Sequence, residues 1–241
     1  MTLPRELHIR CAAIGQLSRE WPEPVDSWLG LVERQELQRL RDGNRRQQWL
    51  AGRWLSKQLI GQLTDDAAGW SDLQILSRDD QGRGARPRIF IDSRELDWTL
   101  SISHTDRSVA VAVAATNHFT VGIDIVGRVP SSDGFSRLWF TPAERRWLND
   151  DTDRRPQILW ALKEAVYKAA HCGEEWDPRQ VEVLPRASNH VDCSYRGELL
   201  CTVVVELREL DDQVLAIVCL PAACGVPSDE QNHNFSEMHH D

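Results

Sequence analysis

No apolar run in this 241-residue chain approaches the roughly eighteen residues that a helix needs to cross a bilayer. The first residues carry no charged-then-apolar leader pattern. These two absences predict a soluble, cytoplasmic protein without a membrane partner. The six cysteines, Cys11, Cys172, Cys193, Cys201, Cys219 and Cys224, form no C-x-x-C pair and mostly sit inside apolar runs. They predict scattered buried thiols, with neither a disulfide framework nor a zinc site, so any metal would have to be oxygen-liganded. No glycine-rich loop ends in Gly-Lys-Ser/Thr, which excludes a Walker-type phosphate cradle. Neither a Gly-x-Ser-x-Gly elbow nor a Cys–His pairing offers a protein-borne nucleophile. Positive charge is scarce too: 28 Lys and Arg face 37 Asp and Glu, a net charge of −9 that argues against a nucleic-acid polymer as partner.

What is present indicates a folded globule. Apolar residues make up 41% of the chain, ten of its residues are tryptophan, and the length suits one large domain or two small ones. The scarce positive charge is concentrated. Arg34, Arg39, Arg41, Arg45, Arg46 and Arg53 face only Glu36 and Asp42 over twenty residues, which suits a small polyanion or an acidic protein surface, although a solvated helix face accounts for some of them.

Along the chain, Leu7 to Leu17 reads as a strand followed by a Pro- and Trp-containing loop, and the pattern turns helical from Val32. A second helix is predicted over 45–63, where Arg46 and Arg53 lie whole turns apart, suited to phosphate recognition or equally to capping carbonyls and pairing with acids. The turn-rich passage 79–87 predicts a loop that delivers Arg86 to a strand over 88–91. Residues 98–104 and 109–114 read as paired strands, with His104 at the end of the first. After the Gly-, Pro- and Ser-rich stretch 127–134, Thr141, Pro142 and Glu144 have the spacing of a capping box. Strands follow at 181–184, 199–207 and 214–220, and residues 225–241 read as a disordered tail whose terminal histidines do not by themselves make a metal site.

Two segments stand out. Asp124 lies inside an apolar strand pattern over 121–126, and an ionised carboxylate there costs several kcal/mol unless a cation or donors meet it. About forty residues later a helix places Ile158, Leu162, Ala165 and Ala169 on a core face. Trp160, Glu164, Lys168 and His171 share another face. That second face is suited to a ligand, while Glu164 and Lys168 can also serve as an ordinary i,i+4 pair. The order helix, strands, hairpin occurs twice, at 45–114 and 155–220. It predicts an α+β fold of two similar halves, residues 1–116 and 117–224, related by a pseudo-twofold axis with a cleft between them.

Gly122-Ile123-Asp124-Ile125-Val126, Phe140-Thr141-x-x-Glu144 and Trp160-x-x-Lys163-Glu164-Ala165-x-x-Lys168 together resemble the signature of the larger, pseudodimeric class of 4′-phosphopantetheinyl transferases. Gly84-Ala85-Arg86-Pro87 and Ser101-Ile102-Ser103-His104 are similar to the coenzyme A segments of the same family, in the expected order. The resemblance covers residues 40–172. It implies transfer of the phosphopantetheine arm of coenzyme A to a serine of an apo acyl- or peptidyl-carrier protein, with release of 3′,5′-ADP, by a monomer. It further implies Mg²⁺ held by Asp124 and Glu164, and Lys168 on the pyrophosphate. Arg46, Arg86, His104 and Ser103 would lie toward the 3′-phosphate, with Arg41, Arg45 or Arg53 able to replace Arg46. Many members carry a second acid where this chain has Val126, which leaves two protein carboxylates for the metal. Two other readings stay open: another Mg²⁺-dependent coenzyme A or nucleotide hydrolase, and a non-catalytic carrier-binding relative.

Overall fold

The computed structural model describes residues 2–64, 69–79, 81–130, 132–148, 154–170, 177–186, 191–200 and 203–222. The expected tail at 225–241 lies outside the described residues, as do His171, Cys172, Cys201 and Cys224.

The first half of the chain contains β1 (His8–Ala13), α1 (Ile14–Glu20), α2 (Leu31–Arg39), α3 (Gly43–Leu63), β2 (Leu73–Arg78), β3 (Gly84–Ile91), β4 (Arg94–Leu96), β5 (Thr99–His104) and β6 (Ser108–Ala114). The second contains β7 (Phe119–Val126), α4 (Asp133–Trp139), α5 (Pro142–Leu148), α6 (Arg155–Ala170), β8 (Val181–Pro185), β9 (Val191–Tyr195), β10 (Glu198–Leu199), β11 (Val204–Leu210) and β12 (Gln213–Pro221). The fold is α+β. In each half the first strand pairs with the last and the last with the one before it, giving β1-β6-β5 and β7-β12-β11, and a small meander completes each set, β2-β3-β4 and β8-β9-β10. Among the described residues no helix is long and apolar enough to cross a membrane.

Four local expectations are corrected. The strand predicted from Leu7 stops at Ala13, and Ile14 starts α1, which buries Ile14 and Leu17. Arg86 is not delivered by a loop but lies within β3. The register of β2 against β3 breaks between Leu76 and Arg78, which spares Pro87 a ladder bond it cannot make. The polar stretch after β7 contains α4, capped by Ser132, whose side chain accepts from the Phe135 amide. The strand read over 199–207 is divided between β10 and β11, and β9 precedes them.

Two contacts hold β7 in place, one with α6 of its own half and one with β5 of the first half. α6 crosses β7 at Gly122, where an added Cβ would lie 1.8 Å from the Ala165 carbonyl oxygen and 2.7 Å from the Ala169 amide nitrogen. Backbone on both sides leaves no flexible atom to give way. Gly122→Ala is therefore expected to lower stability by about 1–3 kcal/mol, checked by urea unfolding.

The second contact is a ladder of hydroxyls. β7 is an edge strand, paired only with β12 within its sheet. Along its other edge the amides of Val121, Ile123 and Ile125 donate to Thr99 Oγ1, Ser101 Oγ and Ser103 Oγ of β5, at 3.1, 3.0 and 3.2 Å. The period-two spacing of Thr99, Ser101 and Ser103 puts the three hydroxyls on one side of β5. They satisfy an edge that would otherwise be buried without partners. Ser101→Ala removes the acceptor for the Ile123 amide and is expected to cost about 1–3 kcal/mol, while Ser101→Thr should recover most of it in the same unfolding experiment.

Candidate functional site

The position of α6 is fixed by a buried ion pair. Lys163 and Glu144 are both 0% exposed. Lys163 Nζ donates to Glu144 Oε1 and Oε2 at 2.8 and 2.6 Å and also to the Val181 carbonyl. The remaining capacity of Glu144 is used by the amides of Thr141 and Val183, both at 2.8 Å. Glu144 thus closes the capping box of α5, as its spacing predicts, and also ties α5, α6 and β8 together. The first half repeats this knot. Glu33 accepts from the Gly30 amide at 3.0 Å, from Lys57 Nζ at 2.7 Å and from the Ile75 amide at 3.1 Å, and Lys57 also donates to the carbonyls of Trp28, Trp70 and Leu73. Ile75 and Val183 each stand third in the first strand of their meander. Burial pushes the pKa of both lysines down, and the paired glutamates oppose that shift.

With α6 fixed over β7, Asp124 meets two donors. Its Oδ1 accepts from Ser103 Oγ and from Lys168 Nζ, each at 2.6 Å, and the side chain is only 8% exposed. Ser103 in turn accepts from the Ile125 amide, so β5, β7 and α6 converge on one carboxylate. A cavity of about 500 Å³ opens there, lined by Ser103, His104, Asp124, Trp160, Glu164 and Lys168. The helix face read from periodicity as Trp160, Glu164 and Lys168 is the face that lines it. Trp160 packs in an aromatic group with Phe135, Trp139 and Phe140, at ring separations of 5.6, 5.8 and 6.4 Å, so the otherwise exposed α4 is anchored beside the cavity.

His104 and Lys168 also line a larger cavity of about 760 Å³, which runs between α3, β3 and β5 and reaches Tyr167 on α6. Burial against its walls lowers the His104 pKa, with Lys168 and Arg45 adding like charge and Asp124 opposing them. Arg86 lines this cavity, and its Nη2 donates at 2.7 Å to the Ala169 carbonyl in the last turn of α6. The two helix arginines take the less functional of the roles open to them. Arg46 does not line the cavity and donates at 3.2 Å to the Leu37 carbonyl near the end of α2. Arg53 reaches the cavity wall but is 3% exposed, bonded to Ser77 at 2.6 Å and paired with Glu36 at 3.4 Å.

The structure thus gathers Asp124, Glu164, Lys168, Ser103, His104 and Arg86 along two adjoining cavities and leaves Arg46 aside. Sequence reasoning missed Trp49, Gln48, Arg83 and Tyr167 in the larger one. The helical period of α3 and α6 could have signalled Trp49, Gln48 and Tyr167, whereas Arg83 lies in the turn before β3, where no period applies. Among the described residues no cluster of three or more His, Cys, Asp and Glu occurs. Asp124 and Glu164 at one cavity form the kind of oxygen donor set that a hard cation accepts when phosphate oxygens and waters complete its shell.

Residues 120–218 match the family model of the 4′-phosphopantetheinyl transferase superfamily, ACPS. The matched part of the chain carries β7, α6 and both acids. Among solved structures, the chain is similar to the ACPS–CoA complex of Chronobacterium ammoniagenes at 22% identity, covering 42% of this chain and 96% of that one with a TM-score of 0.34. It is also similar to the Mycobacterium tuberculosis acyl carrier protein synthase AcpS at 27% identity, covering 42% of this chain and 94% of that one with a TM-score of 0.31. No curated protein matches the chain.

Proposed function

We propose that the protein transfers the 4′-phosphopantetheine arm of coenzyme A to a serine of an apo acyl- or peptidyl-carrier protein. The observation that carries this reading is the convergence of Asp124, Glu164 and Lys168 on one cavity that adjoins, at His104, a larger one lined by Arg83 and Arg86. An acidic protein has assembled cationic groups at one cleft, which is what a doubly phosphorylated nucleotide requires. The residues fit Mg²⁺ held by Asp124 and Glu164, and when bound the cation neutralises charge on the diphosphate.

The chain's own groups account for the remaining steps. Lys168, Arg86 and His104 hold phosphate oxygens and orient the diphosphate. The carrier serine hydroxyl attacks the β-phosphorus, forming a new O–P bond. The bond from that phosphorus to the bridging oxygen breaks, and 3′,5′-ADP leaves with the electron pair. Glu164, on the cavity wall, accepts the serine proton, and Lys168 offsets the charge that develops on the leaving phosphate.

We assign the chain to the larger, two-half class, with halves 1–116 and 117–224. The matching strand orders and the repeated Glu33–Lys57 and Glu144–Lys163 knots support that assignment. Both walls of the cleft come from one chain, which supports a monomer as the working unit. The reading is tested by incubating the protein with apo carrier proteins, coenzyme A and Mg²⁺ and weighing the carrier by mass spectrometry. A gain of one phosphopantetheine together with free 3′,5′-ADP supports it. Coenzyme A cleavage with no carrier adduct across a panel of carriers would reassign the chain as a hydrolase, and coenzyme A binding without cleavage or adduct as a carrier-binding relative.

A further inference from the structure

The larger cavity is not the shape or chemistry of a phosphate site alone. Arg83, Arg86 and Lys168 come from the turn before β3, from β3 and from α6, with His104 of β5 beside them, whereas the α3 side presents Trp49 and Gly52 beside Ile102, its own cation Arg53 being buried and paired. Trp49 is partly exposed, and it is braced. The Arg53 guanidinium lies 4.6 Å from the ring centroid and is itself locked by Ser77 and Glu36. An indole held rigidly by a buried cation loses little freedom when a second flat ring is laid on it. Beside it, a Cβ on Gly52 would lie 3.1 Å from Ile102 Cγ2, closer than ordinary van der Waals contact, so α3 and β5 pack tightly at that level.

We propose that Trp49 is the stacking platform for the purine base of the bound nucleotide, and that the base is recognised by its face and not by its edge. The polar side chains on this wall each already hold a protein partner: Gln48 Nε2 donates to the Thr105 carbonyl at 3.1 Å, and Ser77 Oγ accepts from Arg53 at 2.6 Å. Stacking tolerates any base with the same flat surface, so the site selects purine nucleotides with a 3′-phosphate without distinguishing adenine from hypoxanthine or guanine. This rests on the transferase reading for the identity of the nucleotide, and it makes Arg53 the support of the platform instead of a phosphate ligand.

The experiment measures binding by calorimetry of 3′,5′-ADP, its inosine and guanosine counterparts, and inorganic pyrophosphate with Mg²⁺ as a base-free probe. Wild type, Trp49→Ala and Trp49→Phe are compared. Trp49→Ala is expected to weaken 3′,5′-ADP roughly 10- to 100-fold, to leave pyrophosphate within twofold, and to be largely rescued by Trp49→Phe. The three purine nucleotides are expected to bind wild type within a fewfold of one another. Unchanged 3′,5′-ADP affinity in Trp49→Ala, equal weakening of pyrophosphate, or strong preference for adenine over hypoxanthine would overturn the inference. If wild type loads a carrier but Trp49→Ala keeps its KM for coenzyme A, only this inference fails. If wild type binds none of the nucleotides, the transferase reading fails with it.

Discussion

Lys163→Met is expected to lower the unfolding free energy by about 3–5 kcal/mol, because it strands a charged Glu144 that has no exposure to water. Methionine keeps the length of the side chain, so little of the loss comes from a cavity. Glu144 would retain the Thr141 and Val183 amides as donors, which soften the penalty but do not supply a counter-charge. Lys57→Met should cost somewhat less, since Glu33 is equally enclosed but keeps Arg53 at 3.9 Å as a counter-charge besides the Gly30 and Ile75 amides. Urea midpoints at unchanged m-value give the measurement. A loss below about 1 kcal/mol in both would mean that water reaches these pairs and that they behave as surface ion pairs. The double change Lys163→Met with Glu144→Leu separates charge from geometry. It removes the stranded carboxylate yet leaves the two amides without an acceptor, so part of the loss should persist at about 1–3 kcal/mol per orphaned group.

These knots show where sequence pattern reached its limit. Hydrophobic periodicity located α3, α6 and most strands, since a 3.6-residue or two-residue period survives in any environment that buries one face. It also set Trp160, Glu164 and Lys168 on a common face, and the structure lines one cavity with all three. What it could not give was pairing across distance. Glu144 was legible as a capping residue because its partner is three residues away. Its bond to Lys163 spans nineteen residues, and no local rule reports it. Arg46 and Arg53 illustrate the same limit. Helical spacing suits them equally to phosphate and to carbonyls and acids. Only the packing of α2 against α3 decides for Leu37 and Glu36. The hydroxyl ladder of Thr99, Ser101 and Ser103 was visible as a period of two, but its acceptor role depends on β7 lying beside β5, which is a property of the tertiary fold.

Asp124→Asn and Glu164→Gln are expected to lower the rate of carrier loading by roughly 10²–10³-fold each, with little change in stability, since both replacements keep shape and remove one negative charge. Their effects on binding should run the other way. Asp124 holds Lys168 at 2.6 Å, and that contact offsets an ammonium that would otherwise face phosphate. Removing the carboxylate charge releases Lys168 and takes a repulsive group from beside the diphosphate, so coenzyme A measured without Mg²⁺ should bind Asp124→Asn more tightly than wild type. Adding Mg²⁺ should strengthen binding to wild type and do less for either variant, because each lacks half of the donor set. A slow enzyme that grips its nucleotide better in the absence of metal is a pattern that a merely misfolded variant cannot produce. Wild-type loading rates in both variants would remove Asp124 and Glu164 from the chemistry. A lost rate with coenzyme A affinity falling in parallel, with or without Mg²⁺, would make the two acids structural supports of the cleft.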